Sequence, residues 1–383
     1  MSFALNRSGR RERGFSLIEV MVGLTVGLLA ILAITQTLSM FENQKRTTTA
    51  NADAQENGLV GLFTIEQDVR KAAAGFTHPE AFNCQTFFSY FGTGGVPGAP
   101  IPTSIFNTTP VSITDGGTGN PDTVVVRTGF RFLGSIPTRL KATMANPWDP
   151  LVVERVYDFT TNDLVMIVSP GGTNCTLTHI TSIDAPNLTL QHATGQDPEY
   201  NPDNTYLTAN AWPGYPEGSS VFRVGTTAGG GVTSRTYSIN ANNSLQAASA
   251  VSGAAPATEV LASEIVELQA QYGIADAGSQ QINDWVDATG SWAAPSVADR
   301  QRIKAVRIVV VARSGKRDAA LVTNTCANNA GTNYGPCAWS DSAADAAPLI
   351  DLRANAGDTE WQHYRYKTYQ TVIPMRNVMW SNL

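Results

Sequence analysis

From Phe15 to Phe41 the chain is mostly apolar, and a single charged side chain, Glu19, interrupts the run. Such a run exceeds the roughly 20 residues that a helix needs to cross a bilayer, and it exceeds the core of an ordinary secretory signal. A polar stretch of weak periodicity follows, "ENQKRTTTANADAQENG", and then "LVGLFTIEQDVRKAAAGF". In the latter, Leu59, Leu62, Phe63, Val69, Ala72, Ala73 and Phe76 recur at helical spacing, which predicts a stripe packed on a sheet. No proline occurs between Phe15 and Pro79. Nothing therefore forbids one helix of roughly 60 residues, about 90 Å long at 1.5 Å rise. Gly58 and Gly61 lower its local stability and predict a bend.

Beyond Phe76 the pattern changes to period two with turn signals between runs. The expected strands are Thr123–Leu133, Leu151–Phe159, Leu164–Val168, Thr176–Thr181, Ser219–Val224, Arg235–Ile239, Val260–Gly273, Ile303–Arg313 and Tyr364–Ile373. In "IKAVRIVVVAR", Val306, Ile308, Val310 and Ala312 share one face, with Arg307 and Arg313 on the other. Loops such as "GTGGVPGAPIPTS", "GQDPEYNPDNT" and "NTCANNAGTNYGPC" separate the runs. One long helix followed by many strands predicts an α+β fold, the helix packed on a large antiparallel β-sheet head. No internal repeat or interdomain linker is evident, which predicts one elaborated head.

Composition adds the class of protein. With 383 residues, 33 Gly, 20 Pro and 15% charged residues, the chain is loop-rich and long enough for a substantial core. Its formal charge of −6 gives no reason to expect direct binding of nucleic acid, whose binders cluster Lys and Arg. At the N-terminus, Arg7, Arg10, Arg11 and Arg13 against Glu12 make a basic leader immediately before the apolar run. Basic residues stay on the cytoplasmic side, so the chain after about Phe41 should face outward. The four cysteines, Cys84, Cys175, Cys326 and Cys337, favour disulfides in an exported protein. Cys326 and Cys337 close a short Asn/Gly-rich loop and are the expected pair, leaving Cys84 with Cys175.

A plain anchor, or a secretory signal ending near "LAILAITQ", leaves Glu19 unexplained, because a lone carboxylate in hydrocarbon costs at least a few kcal/mol. Cleavage between Gly14 and Phe15 explains it. The new Phe15 amine would be cationic, and Glu19 of one subunit could pair with the amine of a neighbour, which rewards docking in one register. "RGFSLIEVMVGLTVGLLAILAITQTL" resembles the class III signal of type IV pilins and pseudopilins. That resemblance implies a prepilin peptidase that cuts after Gly14, methylation of Phe15, and Glu19 as the assembly carboxylate. Major pilins carry a helix-kinking proline in the apolar run; this chain has Gln36 where one would be expected.

Three C-terminal segments, "EIVELQAQYGI", "RIKAVRIVVVARS" and "YRYKTYQTVIPMRN", resemble the PilW family of minor pilins in the same order. Residues from about Gly95 to Ala255 align to nothing. The resemblance implies a pilin-like organisation: a leader over 1–14, a transmembrane and assembly segment over 15–41, a periplasmic part of the helix over 42–76, and a β-rich head over 77–383. It implies a minor type IV pilin that primes pilus assembly near the tip, in twitching, adhesion or DNA uptake. Its partners would be other minor pilins, the major pilin, the prepilin peptidase, the inner membrane and a tip-associated adhesin. The expected location is a single pass in the inner membrane with the head in the periplasm, then the filament. A type II secretion pseudopilin of the J type shares the signal, but the head is large for that; a single-pass periplasmic binding module would not need Glu19.

Catalytic patterns are missing from the sequence. His78, His179, His192 and His363 are scattered, and no zinc-protease, nucleophile-elbow or P-loop motif occurs. Asp197, Glu199 and Asp203 lack the spacing of a calcium loop and read as a solvated turn. The expectation is a structural protein with no catalytic residue, cofactor or metal.

Overall fold

The structure, a computed structural model, describes residues 14–75, 84–90, 109–129, 136–196, 200–227, 233–251, 257–339, 342 and 345–381. The chain forms two compact units, Met1–Ala52 and Asp53–Leu383. Helix α1, Leu17–Lys71, is 55 residues long and contributes to both. It ends five residues before the sequence pattern does, because Ala73 and Gly75 take left-handed backbone conformations. The Ala73 amide donates to the Arg127 carbonyl (2.9 Å) and the Gly129 amide donates to Ala74 (2.6 Å), which ties the helix end to a strand. Phe76 lies outside the described residues.

Within the second unit the helix buries Ala54, Gly58, Gly61, Leu62, Ile65 and Val69. Leu59 and Phe63, expected on the packed stripe, are exposed instead. The packed face is rotated because the two glycines, read as a bend, are the points of closest approach. A Cβ on Gly58 would collide with the Tyr369 ring and meet the Ala312 Cβ at 3.2 Å; one on Gly61 would sit 3.0 Å from Leu245 Cδ2. Asp68 fixes the rotation by pairing with Arg235 (2.9 Å) and accepting from the Tyr237 hydroxyl (2.5 Å).

The head contains several sheets, and most strand pairs are antiparallel. One five-stranded sheet has the order β1 (Thr86–Phe88), β7 (Asn174–His179), β6 (Asp163–Val168), β10 (Ser220–Thr226) and β4 (Thr138–Arg139); β1 and β7 pair in parallel. A second has β13 (Ala257–Ser263), β12 (Ser244–Val251), β11 (Thr233–Ile239), β3 (Thr123–Thr128) and β2 (Val111–Thr114). The third is four-stranded: β15 (Ile282–Val286), β14 (Ile265–Ala275), β16 (Ile303–Arg313) and β19 (Tyr366–Pro374). Two small sheets complete it, β5 (Leu151–Val152), β9 (Thr189–Gln191) and β8 (Ser182–Asp184), and the hairpin β17 (Cys326–Asn328) with β18 (Gly331–Asn333). Short helices α2 (Asn204–Ala209), α3 (Val297–Arg302) and α4 (Arg376–Ser381) lie between or after strands.

The main core joins the α1 face to the inner faces of all three larger sheets. A second cluster lies between Leu140, Leu151, Leu190 and the outward residues Val165, Ile167 and Val221 of β6 and β10. Two strand expectations need correction. Val260–Gly273 is not one strand: Glu264 has a left-handed φ of 57°, so β13 and β14 leave it into different sheets, with Arg313 bonded to its carboxylate (2.8 Å). Leu151–Phe159 pairs only over β5 and a bridge at Val153, then turns so that Val156 and Phe159 enter the second cluster. The Arg307 face of β16 is covered as well, because Ala338 and Ile350 pack with Val309 and Val311.

Candidate functional site

The N-terminal segment is built around one helix start. Gly14, Phe15 and Ser16 precede α1, and the Val20 amide donates to the Ser16 carbonyl (3.2 Å) as the first turn closes. Phe15 is 82% exposed, and Glu19 lies exposed in the first turn, where aligned peptide dipoles favour a negative charge. Among the described residues no cation pairs with Glu19. The most apolar window of α1 is 0% buried, so its side chains have no cover among the described residues. Its threonines need no outside partner: the Thr25, Thr35 and Thr37 hydroxyls donate to the carbonyls of Val22, Leu32 and Ala33 at 2.8–2.9 Å. Such back-bonding suits a helix in hydrocarbon. Glu19 is the one charge that hydrocarbon would have to accept. Gly14, Phe15 and Glu19 are thus gathered at one exposed helix start; the leader residues before them lie outside the described residues.

In the head, disulfides join Cys84 to Cys175 and Cys326 to Cys337, each with a Cα–Cα distance of 5.7 Å. The first fastens the chain ahead of β1 to β7 inside the main core; the second closes the β17–β18 region. Three of the four histidines have structural surroundings. His179 is buried, burial holds His192 below its usual pKa while its Nε2 meets the Asp149 carbonyl (2.7 Å), and His363 Nδ1 meets the Asp318 carbonyl (2.9 Å). His78, Asp197 and Glu199 lie outside the described residues. Asp203 caps α2, accepting from the Tyr206 amide (2.8 Å). Among the described residues no group of three or more metal-binding side chains occurs.

Sequence reasoning did not single out the buried ionisable groups of the head. Glu267 is pushed up to about 8 by burial, despite bonds from the Gln269 side chain and the Leu268 amide. Asp122 is pushed up to about 7, again by burial, while accepting from the Gly116 and Ala270 amides. Arg307, 6% exposed, is stacked between Trp285 and Trp339 with ring centroids 4.8 and 4.4 Å away, and it bonds Asp345 and Gln271. For Arg307 the signal available was an arginine at a strand position between the apolar Val306 and Ile308. Asp122 joins the segment before β3 to β14, Arg307 joins β16 to β14 and to Asp345, and Glu267 bonds neighbours within β14; the three do not converge on a reactive centre.

Two family models match the chain. The prokaryotic N-terminal methylation motif matches residues 9–35, and Type IV Pilus-assembly protein W (PilW) matches residues 221–377. Among solved structures, a type IV-like pilin from Thermus thermophilus is similar over 57% of this chain and 85% of that one, at 11% identity and a TM-score of 0.25. No curated protein matches. The methylation motif spans the site at Gly14, Phe15 and Glu19, and the PilW region runs from β10 into α4. The chain thus carries a prepilin-type methylation signal at the start of an apolar helix long enough to cross a membrane, and a PilW region within its β-rich head, and in both respects it is type IV pilin-like.

Proposed function

We propose that the protein is a minor pilin that primes assembly of a type IV pilus and sits at or near its tip. The observation that carries this reading is a long apolar helix surface with no cover among the described residues and one carboxylate in its first turn. Before assembly, residues 15–41 hold the chain in the inner membrane, the leader over 1–14 on the cytoplasmic side and the head in the periplasm. A prepilin peptidase removes the leader at Gly14, and Phe15 is methylated. Glu19 then pairs with the Phe15 amine of a neighbouring subunit. Other minor pilins and the major pilin are the partners, with a tip adhesin carried by the same complex. The head acts by shape, with no catalytic step, cofactor or direct contact to nucleic acid. The PilW match over the head supports a pilus role over that of a J-type secretion pseudopilin.

Mass spectrometry of the membrane-extracted protein should find Phe15 as a methylated N-terminus. Gly14→Val should leave the leader attached, because a β-branched side chain obstructs close approach to that backbone. Wild-type protein retaining Met1 in cells with an active prepilin peptidase would reject the reading. Sheared filaments should contain the protein at low stoichiometry relative to the major pilin, and its absence from them would reject the minor-pilin role.

A further inference from the structure

A cleft of about 510 Å³ opens where the 240–243 turn, the 119–121 segment, the start of β14, the end of β16 and the 351–366 segment meet. Trp361, Tyr364 and Tyr366 give it aromatic walls. The Tyr364 ring already holds the Arg313 guanidinium (4.6 Å to the centroid), and the Tyr366 hydroxyl donates to the Trp361 carbonyl (2.9 Å).

Most charges that line the cleft are matched. Arg313 pairs with Glu264 (2.7 Å), Arg353 with Asp351 (2.6 Å) and Glu360 with Arg317 (2.6 Å). Asp358 accepts from the Ala354 and Glu360 amides (3.0 and 2.8 Å). Glu267, at the start of β14, differs. It is almost wholly buried, and its Oε1 accepts from both the Leu268 amide and Gln269 Nε2 (3.1 Å each). Its Oε2 receives no hydrogen bond, and no cation pairs with it among the described residues. Burial, and less strongly the Asp122 and Asp351 carboxyls, push Glu267 up to about 8 against the lowering effect of its two bonds. A buried carboxyl with an open acceptor position and acids for neighbours sets up a negative potential that a cation relieves. Aromatic walls add to that attraction. A metal ion does not suit the arrangement, because among the described residues no group of three or more metal-binding side chains occurs to complete its coordination.

We propose that this cleft binds an organic cation, a primary ammonium or a guanidinium group, which donates to Glu267 Oε2 while its apolar stem lies among the aromatic walls. Free amines and the lysine or arginine side chains of a partner protein share this chemistry, so the test separates them.

The full-length protein in a non-ionic detergent is titrated calorimetrically at pH 9 with n-butylammonium, N-acetyl-lysine methylamide and N-acetyl-arginine methylamide. Sodium chloride at matched ionic strength is the reference. At least one organic cation should bind where sodium does not. Binding of n-butylammonium assigns the site to free amines, and binding of a peptide-like compound alone assigns it to a partner's side chain. The pair needs the ionised carboxylate, so affinity should rise about tenfold from pH 7 to pH 9, where both cations keep their charge. Hydrogen bonds hold Asp351, Asp358 and Glu360 below the usual carboxylate value, and Arg313 and Arg353 stay charged. Asp122, pushed up to about 7, is then the other nearby carboxyl that changes charge over that range. Glu267→Gln should weaken binding about tenfold at pH 9 and remove most of the rise. Ala354→Arg, which adds a cation at the exposed rim, should weaken binding about threefold, and Ala354→Glu should not weaken it. The absence of heat beyond that of sodium from all three cations would overturn the proposal. So would wild-type affinity at pH 9 in either Glu267→Gln or Ala354→Arg.

Discussion

Glu267, 1% exposed, and Asp122 are carboxyls that the folded head keeps protonated further up the pH scale than the unfolded chain does. Between their ordinary values, 4.5 and 3.8, and their folded ones near 8 and 7, the folded state binds protons that the unfolded state has released. Stability therefore falls as pH rises through this window. His192, held neutral by burial, acts in the opposite sense, but only where unfolded histidine takes up protons, below about pH 7. From pH 7 to 9 the carboxyls dominate, and the head should lose about 2 kcal/mol of stability. Glu267→Gln keeps an oxygen for the Leu268 amide and the Gln269 side chain while removing the charge, so its denaturation midpoint should vary less over that range. An unchanged pH slope in the variant would show that Glu267 ionises as freely folded as unfolded. At this scale the methylation motif over residues 9–35 was legible because it is written locally: a basic leader, Gly14–Phe15 and a lone acid in an apolar run. Glu267 and Arg307 were not legible, since their burial is decided by segments far away in sequence. Asp345 and Trp339 reach Arg307 from a loop that carries no periodic signal.

The helix and the strands show which patterns survive folding. Helix α1 and β16 were readable because each is long and periodic, and β16 occupies the predicted Ile303–Arg313 span. The other covered face of β16 was not readable, because an irregular segment covers it. β12, with the low-hydrophobicity sequence SLQAASAV, escaped notice although it lies inside the second sheet. Its pairing with β11 comes from the Asn240–Ser244 turn, where the Asn240 amide donates to the Ser244 carbonyl (3.0 Å) and Asn243 is left-handed. Gly58 and Gly61 were read as weak points by intrinsic propensity, and packing reverses that reading. Alanine at an exposed helix site gains about 1 kcal/mol over glycine. At Gly58 the added methyl must displace the Tyr369 ring, and overpacking of this kind costs about 1–3 kcal/mol. Gly58→Ala should therefore destabilise the head by about 1 kcal/mol, reversing to a gain in a Tyr369→Ala background. Gly61→Ala meets the end of the Leu245 side chain tightly and the Ala262 Cβ at ordinary contact distance, and should be near neutral. Denaturant midpoints of the four variants and the double mutant's coupling energy decide this; Gly58→Ala as stabilising as an exposed glycine-to-alanine change would remove the packing account.

For the whole molecule, the proposed function requires one chain to reside in a membrane and also to join a filament. An uncovered apolar helix surface is satisfied by lipid or by neighbouring helices, and hydrophobicity alone barely distinguishes the two. The carboxylate does distinguish them. In lipid Glu19 costs at least a few kcal/mol, whereas beside the Phe15 amine of another subunit both charges are matched and the helices are held in one register. The head should be indifferent to the choice, since its core, disulfides and sheets belong to the Asp53–Leu383 unit. Glu19→Val should thus leave the leader cleaved, the head folded and the protein at least as firmly in the inner membrane as wild type. Docking should fail, so the variant should be missing from sheared pilus fractions and from pull-downs with other minor pilins. Glu19→Gln can still accept a hydrogen bond from the amine and should show a partial defect, which separates charge from hydrogen bonding. Recovery of Glu19→Val in filaments at the wild-type level would end the ion-pair account. Loss of cleavage in the same variant would instead place Glu19 in recognition by the peptidase, so Phe15 mass spectrometry and filament recovery must be measured on the same preparation.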